Sequence, residues 1–190
     1  MNKSASLKTI ETPVAADTLE ERLKRTIRDI PDFPKPGILF KDITPVLQDP
    51  KLFAAIIDAF AAKAKGKKIT HVVGIEARGF VFASALAYKL GAGLIPARKK
   101  GRLPYRTISE SYELEYGQAT LELHEDALKL GDSVVLVDDL LATGGTAAAT
   151  AKLIERTGAK IHGIFFVIEL TFLNGRRVLR DRDIFSLVSF

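Results

Sequence analysis

Asp138 and Asp139 stand side by side after the apolar run Val134-Val135-Leu136-Val137, and two leucines later comes Ala142-Thr143-Gly144-Gly145-Thr146. Four consecutive aliphatic residues are too few for a helix and suit a strand of a parallel sheet covered on both faces; this strand is expected to end at Asp138. The alanine-rich stretch 147–157 has the composition of a helix, with Gly158 as its stop. The turn 142–146 therefore falls at a helix N-terminus. Unpaired backbone N–H groups converge there, glycines let a ligand approach closely and threonine hydroxyls add donors, so a phosphate is the natural guest. Carboxylates would repel that phosphate, so Asp138 and Asp139 are expected to face vicinal hydroxyls, for which they are good acceptors. A ribose 5-phosphate satisfies both halves. An ordinary crossover turn with two solvated aspartates would explain the strand and the acidic pair, but not their combination with Thr-Gly-Gly-Thr. A dinucleotide site is disfavoured, because no Gly-x-Gly-x-x-Gly follows a strand.

A second anion site is suggested by Glu76-Ala77-Arg78-Gly79, which follows an apolar stretch, 70–75, and precedes a helical one. A diphosphate could be held there by the helix N-terminus and Arg78; the bland alternative is a solvated Arg78 with Glu76 near the positive end of the helix dipole. Basic residues Arg98, Lys99, Lys100, Arg102 and Arg106 cluster just beyond the next strand. The segment 109–117 sets Glu110, Glu113 and Glu115 beside Tyr112 and Tyr116, too acidic and aromatic for a plain linker. A lid of this kind would exclude water from a cationic reaction centre, and a carboxylate on it could stabilise that charge or exchange a proton. The residues themselves do not select among the three glutamates.

The elements that must position these groups follow from periodicity and punctuation. A charged helical pattern spans 18–30, and the proline-rich stretch 31–37 is an irregular connection. Helices are expected at 52–64 and 80–90, the latter ending at Gly91; strands at 70–75, 93–97, 118–124, 134–137, 161–168 and 185–188; and a long loop at 99–116. The two-stranded excursion around 99–124 is expected to project as a flexible flap. Strand and helix alternate through the middle, so the class is α/β with a mainly parallel, Rossmann-like sheet flanked by helices, and ligands should collect outside the carboxyl ends of the strands.

With 190 residues, 47% of them hydrophobic, one substantial core is affordable and two are not. No apolar run approaches the ~20 residues that span a bilayer. The first seventeen residues lack an apolar segment of the signal-peptide kind and lack arginine, so a frayed arm in a cytoplasmic protein is expected. Zero cysteines exclude disulfides and thiol chemistry. The three histidines, His71, His124 and His162, have no paired spacing, so no protein-built metal site is expected. A net charge of +5 without interleaved aromatics suits a small polyanion better than nucleic acid.

The run Asp138-Asp139-Leu140-Leu141-Ala142-Thr143-Gly144-Gly145-Thr146 resembles the phosphoribosyl-diphosphate (PRPP) signature of the type I phosphoribosyltransferases, in the version of their adenine-using members. Glu76-Ala77-Arg78-Gly79-Phe80 resembles their diphosphate loop, the stretch 34–45 their adenine-binding hood, and Leu114-Glu115-Tyr116-Gly117 their lid. The resemblance covers nearly everything from about residue 30 onward. It implies one phosphoribosyltransferase domain over 31–190, with a hood at about 31–50 and a lid at about 99–117, preceded by an arm and first helix at 1–30. It implies transfer of the phosphoribosyl group of PRPP to adenine, giving AMP and diphosphate in purine salvage. Asp138 and Asp139 would hold the ribose hydroxyls; Ala142, Thr143, Gly144, Gly145 and Thr146 the 5-phosphate; Arg78, Gly79, Arg98 and Lys99 the diphosphate. Leu39 would read adenine through its backbone, Phe40 would stack on it, and Lys41 would complete the adenine site, although many relatives have arginine there. Glu115 would be catalytic and Tyr116 would close with it. Mg2+ would arrive on the diphosphate, and the enzyme would be a homodimer, binding neither membrane nor nucleic acid. The alternatives are a phosphoribosyltransferase for another purine, or a PRPP-sensing regulator without activity.

Overall fold

The computed structural model describes residues 17–113 and 118–190. Its spine is a seven-stranded sheet whose central strands are apolar on both faces, as the unbroken aliphatic runs require. In chain order the strands are β3 (His71–Ile75), β4 (Gly93–Lys99), β5 (Thr107–Glu113), β6 (Gln118–His124), β7 (Ser133–Leu141), β8 (Lys160–Glu169) and β9 (Ile184–Ser189), arranged in space as β5-β6-β4-β3-β7-β8-β9. Pairs β3·β4, β3·β7, β7·β8 and β8·β9 are parallel, whereas β6 runs antiparallel to both β4 and β5.

Alternation along β7 divides the core in two. Val135 and Val137 face one cluster with helices α1 (Leu19–Thr26), α3 (Pro50–Ala64) and α4 (Gly79–Leu90), built on Leu23, Ile56, Phe60 and Phe82. Val134 and Leu136 face the other, beneath α5 (Gly145–Arg156) and α6 (Gly175–Leu179), with Leu153, Ile154, Phe166 and Leu179. A small separate sheet, β1 (Arg28–Pro31) with β2 (Leu39–Asp42), lies before the short helix α2 (Thr44–Gln48).

Several sequence expectations are corrected. The charged pattern 18–30 is helical only to Thr26, where the capping box of Thr18 and Glu21 starts a helix that gives way to β1. The long loop expected at 99–116 includes strand β5 over Thr107–Glu113, so the described part of the flap is sheet rather than loop. The β5–β6 hairpin extends the main sheet through Arg98 opposite Glu122, and β5 is held to α5 by Lys152 and Arg156, both paired with Glu110. Strand β7 does not end at Asp138 but continues to Leu141, because β8 supplies partners as far as Glu169. Helix α5 begins at Gly145, so Gly145 and Thr146 belong to its first turn.

Candidate active site

Strands β3 and β7 are parallel neighbours in register, His71 opposite Val134, so both finish at the same edge of the sheet. Turn 76–78 therefore comes to lie beside Asp138 and Asp139. Between them opens a cleft of about 590 Å³ lined by Glu76, Arg78, Lys99, Tyr112, Asp138, Asp139, Ala142 and Thr146, among others. A larger groove, about 710 Å³, runs between β5, α5 and the segment after α6. That groove contains neither aspartate, so the smaller cleft is where the chemistry converges.

The acidic pair is split by its surroundings. Asp139 is only 4% exposed, and its carboxylate is ion-paired with Arg78 Nε. The Arg78 guanidinium also lies 5.2 Å from the centre of the Phe40 ring, a cation–π arrangement that ties the β1–β2 hairpin to the cleft. Asp138 accepts a hydrogen bond from the Asp139 amide at 2.9 Å. Burial, with the charge of Asp139 second, pushes the Asp138 carboxyl well above the usual carboxylate range. Gly79 makes this contact between α4 and β7 possible: a Cβ there would sit 2.8 Å from the Val137 carbonyl oxygen and 2.9 Å from Asp138 Oδ1. Gly79 is thus the residue that permits this close approach.

Glu76 occupies a role the sequence did not suggest. Its carboxylate accepts from Arg98 Nη2 at 3.1 Å and from the Lys99 amide at 2.9 Å. Burial pushes its pKa up, but these two hydrogen bonds and the Arg98 charge outweigh it and hold the group below its ordinary range. Arg98 is further fixed by the Arg102 carbonyl at 2.8 Å and does not line the cleft, whereas Lys99 does. Of the three cations expected on the diphosphate, Arg78 and Lys99 therefore reach the space, and Arg98 braces the loop beside it.

The glycine turn is built from backbone. Gly144 caps α5 at φ +84° with no side-chain capping bond, so the first N–H groups of the helix are not satisfied by a capping side chain. A Cβ on Gly144 would lie 2.5 Å from the Gly175 carbonyl oxygen, and one on Gly175 would lie 2.2 Å from that of Ala142. The turn and the start of α6 are thus locked backbone to backbone. Ala142, Thr143, Gly144 and Thr146 also line a small cavity of about 60 Å³ together with Asp138. Thr146 Oγ1 donates to Tyr112 Oη at 3.1 Å, and the Tyr112 ring packs against the bare Cα of Gly145. Tyr112 is a cleft residue that sequence reasoning left unassigned; its only signal was an aromatic within the alternating Ser-Glu-Ser-Tyr-Glu of β5.

The hood residues are dispersed by the two-residue period of β2. Leu39 is half exposed, and Phe40 packs its ring edge-on to Phe33 at 5.1 Å and against Arg78. Lys41 points away from the cleft: it is 8% exposed, 2.6 Å from Asp29 Oδ1 and 3.8 Å from the centre of the Phe190 ring. The lid residues Glu115 and Tyr116 lie outside the described residues.

Comparison with known proteins places the chain in a family. Residues 43–186 match the model of the phosphoribosyl transferase domain. The chain is 56% identical over 168 residues to an adenine phosphoribosyltransferase of Carboxydothermus hydrogenoformans, covering 88% of this chain and 99% of that one. Among solved structures, the adenine phosphoribosyltransferase of Thermoanaerobacter pseudethanolicus superposes with a TM-score of 0.87 at 54% identity, covering 91% of this chain and all of that one. The enzyme of Saccharomyces cerevisiae, solved with D-2,5-dideoxy-2,5-imino-altritol 1,6-bisphosphate and adenine, does so with a TM-score of 0.85 at 41% identity, covering 89% and 98%.

Proposed function

The chain belongs to the phosphoribosyl transferase family, and on that premise we propose that it transfers the phosphoribosyl group of PRPP to adenine, giving AMP and diphosphate. The observation that carries the reading is the meeting, at one sheet edge, of an acidic pair with a backbone anion cradle on one side and Arg78 on the other. Relatives bearing the adenine-specific name at more than half identity supply the base, and the solved yeast relative is complexed with adenine and an imino-altritol bisphosphate.

Residue by residue, the N–H groups of the first turn of α5 and the hydroxyls of Thr143 and Thr146 take the 5-phosphate, while Asp138 and Asp139 accept from the ribose hydroxyls. Arg78 keeps Nε on Asp139 and turns its terminal groups to the diphosphate, with Lys99 opposite and the N-terminus of α4 at Gly79 beneath. The Leu39 backbone and the Phe40 ring face adenine. The base nitrogen forms a bond to the anomeric carbon as the bond from that carbon to the diphosphate oxygen breaks, and the ring loses its proton. Glu115, closing with Tyr116, stabilises the cationic sugar or takes that proton, and the lid keeps water out. Among the described residues no three His, Asp, Glu or Cys side chains converge to hold a metal. Mg2+ would arrive on the diphosphate and would there supply charge neutralisation of the leaving group. Among the described residues no helix is long and apolar enough to cross a membrane. A homodimer in the cytoplasm, working in purine salvage, completes the proposal.

The test is an assay with PRPP, magnesium and each of adenine, hypoxanthine, guanine and xanthine, on wild type and Glu115→Ala. AMP from adenine alone is expected, with the variant slowed roughly 10²–10⁴-fold. Turnover of a 6-oxo purine would contradict the base assignment, and PRPP binding without turnover would favour a regulator.

A further inference from the structure

The hairpin that carries Leu39 and Phe40 is a sheet of only two strands, which is marginal in water without further packing. Of all the residues in β1 and β2, only Lys41 is buried. A lysine is an expensive choice for that position unless its ammonium is both paired and contacted. Here it is: Asp29 lies directly across the hairpin in register, 2.6 Å away, and the Phe190 ring lies 3.8 Å from Nζ. Phe190 is itself held firmly. Its N–H donates to the Glu169 carbonyl at 2.9 Å, and its carbonyl accepts from the Thr171 amide at 2.9 Å and from Thr171 Oγ1 at 2.8 Å. Glu169, in turn, forms a two-pronged pair with Arg176, both contacts at 2.7 Å. A continuous set of contacts thus runs from the end of β8 through Phe190 to the middle of β2, one residue from Phe40.

We propose that the Lys41 side chain is a positioning group: its ammonium, seated on the Phe190 ring, sets the place of Leu39 and Phe40 against the cleft. The inference rests on the adenine-transfer reading above and assigns to Phe190 a part in base recognition although it does not line the cleft. Two variants probe the same contact from opposite sides. Phe190→Leu removes the aromatic face while keeping apolar volume, and Lys41→Met removes the charge while keeping an unbranched chain. Asp29 is half exposed, so its unpaired carboxylate remains hydrated in Lys41→Met.

Each variant is expected to raise KM for adenine about three- to tenfold, as loss of one cation–π contact does, with KM for PRPP and kcat changed less than about twofold. The double variant should be little worse than either single one, and Phe190→Tyr, which keeps a ring, should behave as wild type. Amide hydrogen exchange on the full chain gives a second readout independent of the base: residues 28–42 should exchange faster in Phe190→Leu, with β7 unchanged. An unaltered adenine KM in whichever variant folds, or an equal rise in both KM values, overturns the positioning role. Unaltered exchange of the hairpin overturns the tether itself. A wild type that does not use adenine would instead sink the functional reading, while the exchange experiment would still decide the tether.

Discussion

The β3–α4 and β7–α5 units are the same strand-turn-helix device repeated in register, yet their turns are built by opposite means. Around the first turn every charge is engaged by a side chain or amide: Arg78 with Asp139, Glu76 with Arg98 and the Lys99 amide. The second turn has no charged side chain between Asp139 and the helix and relies on a left-handed glycine and bare N–H groups. Under the proposed assignment, a side-chain grip can re-aim for a diphosphate that must leave, and a backbone cradle is rigid for a 5-phosphate that stays with the sugar throughout.

The largest effect should come from breaking the cradle. Gly144→Ala forces a side chain into the left-handed region and against the Gly175 carbonyl; unfolding experiments should show a loss of about 3 kcal/mol or more, and turnover at low PRPP should nearly vanish. Next comes the acidic pair. Asp138→Asn keeps an oxygen for the Asp139 amide but removes a carboxylate charge that its surroundings and Asp139 disfavour, so kcat/KM for PRPP should fall about 10–100-fold while Tm rises by about 2–4 °C, the shift that about 1 kcal/mol gives in a chain of this size. The sign follows from linkage. A carboxyl whose folded pKa is raised binds more protons folded than unfolded, so its stabilising contribution is full below the unfolded carboxylate pKa and is lost as pH rises through the folded value. The stability difference between Asp138→Asn and wild type should therefore widen from acid toward neutral pH in thermal melts. Smaller still, Glu76→Gln should raise KM for PRPP about threefold by loosening Lys99, since an amide can still accept from the backbone but not balance Arg98. Outside both turns, Glu169 is held below its usual range by Arg176, so it should contribute stability above the unfolded carboxylate pKa that is lost as pH falls through the folded one. Arg176→Gln should reduce that acid-side loss, which thermal melts over the acid range would show.

The same contrast explains what the sequence disclosed. The β7 run, the acidic pair and the glycine stops at Gly91 and Gly158 are local features, and local physics places them. Strand β5 escaped notice because its Ser and Glu positions are satisfied across space, Glu110 by Lys152 and Arg156, rather than by apolar alternation. The β1–β2 hairpin escaped because it is mostly exposed, its one buried residue being a lysine that periodicity would place outside. Glu76 looked like a helix-end acid until the fold brought Arg98 to it, a pairing across 22 residues. The side-chain grip, in short, is made of distant partners, and the backbone cradle of adjacent ones.

The division of labour between the two turns is tested most directly by calorimetric binding of ribose 5-phosphate and of magnesium diphosphate to wild type, Thr146→Val and Arg78→Met. Thr146→Val should weaken the sugar phosphate and spare the diphosphate, and Arg78→Met should do the reverse, each loss being about tenfold. If both variants weaken both ligands equally, the two turns do not bind separate groups and the assignment of the cleft is wrong.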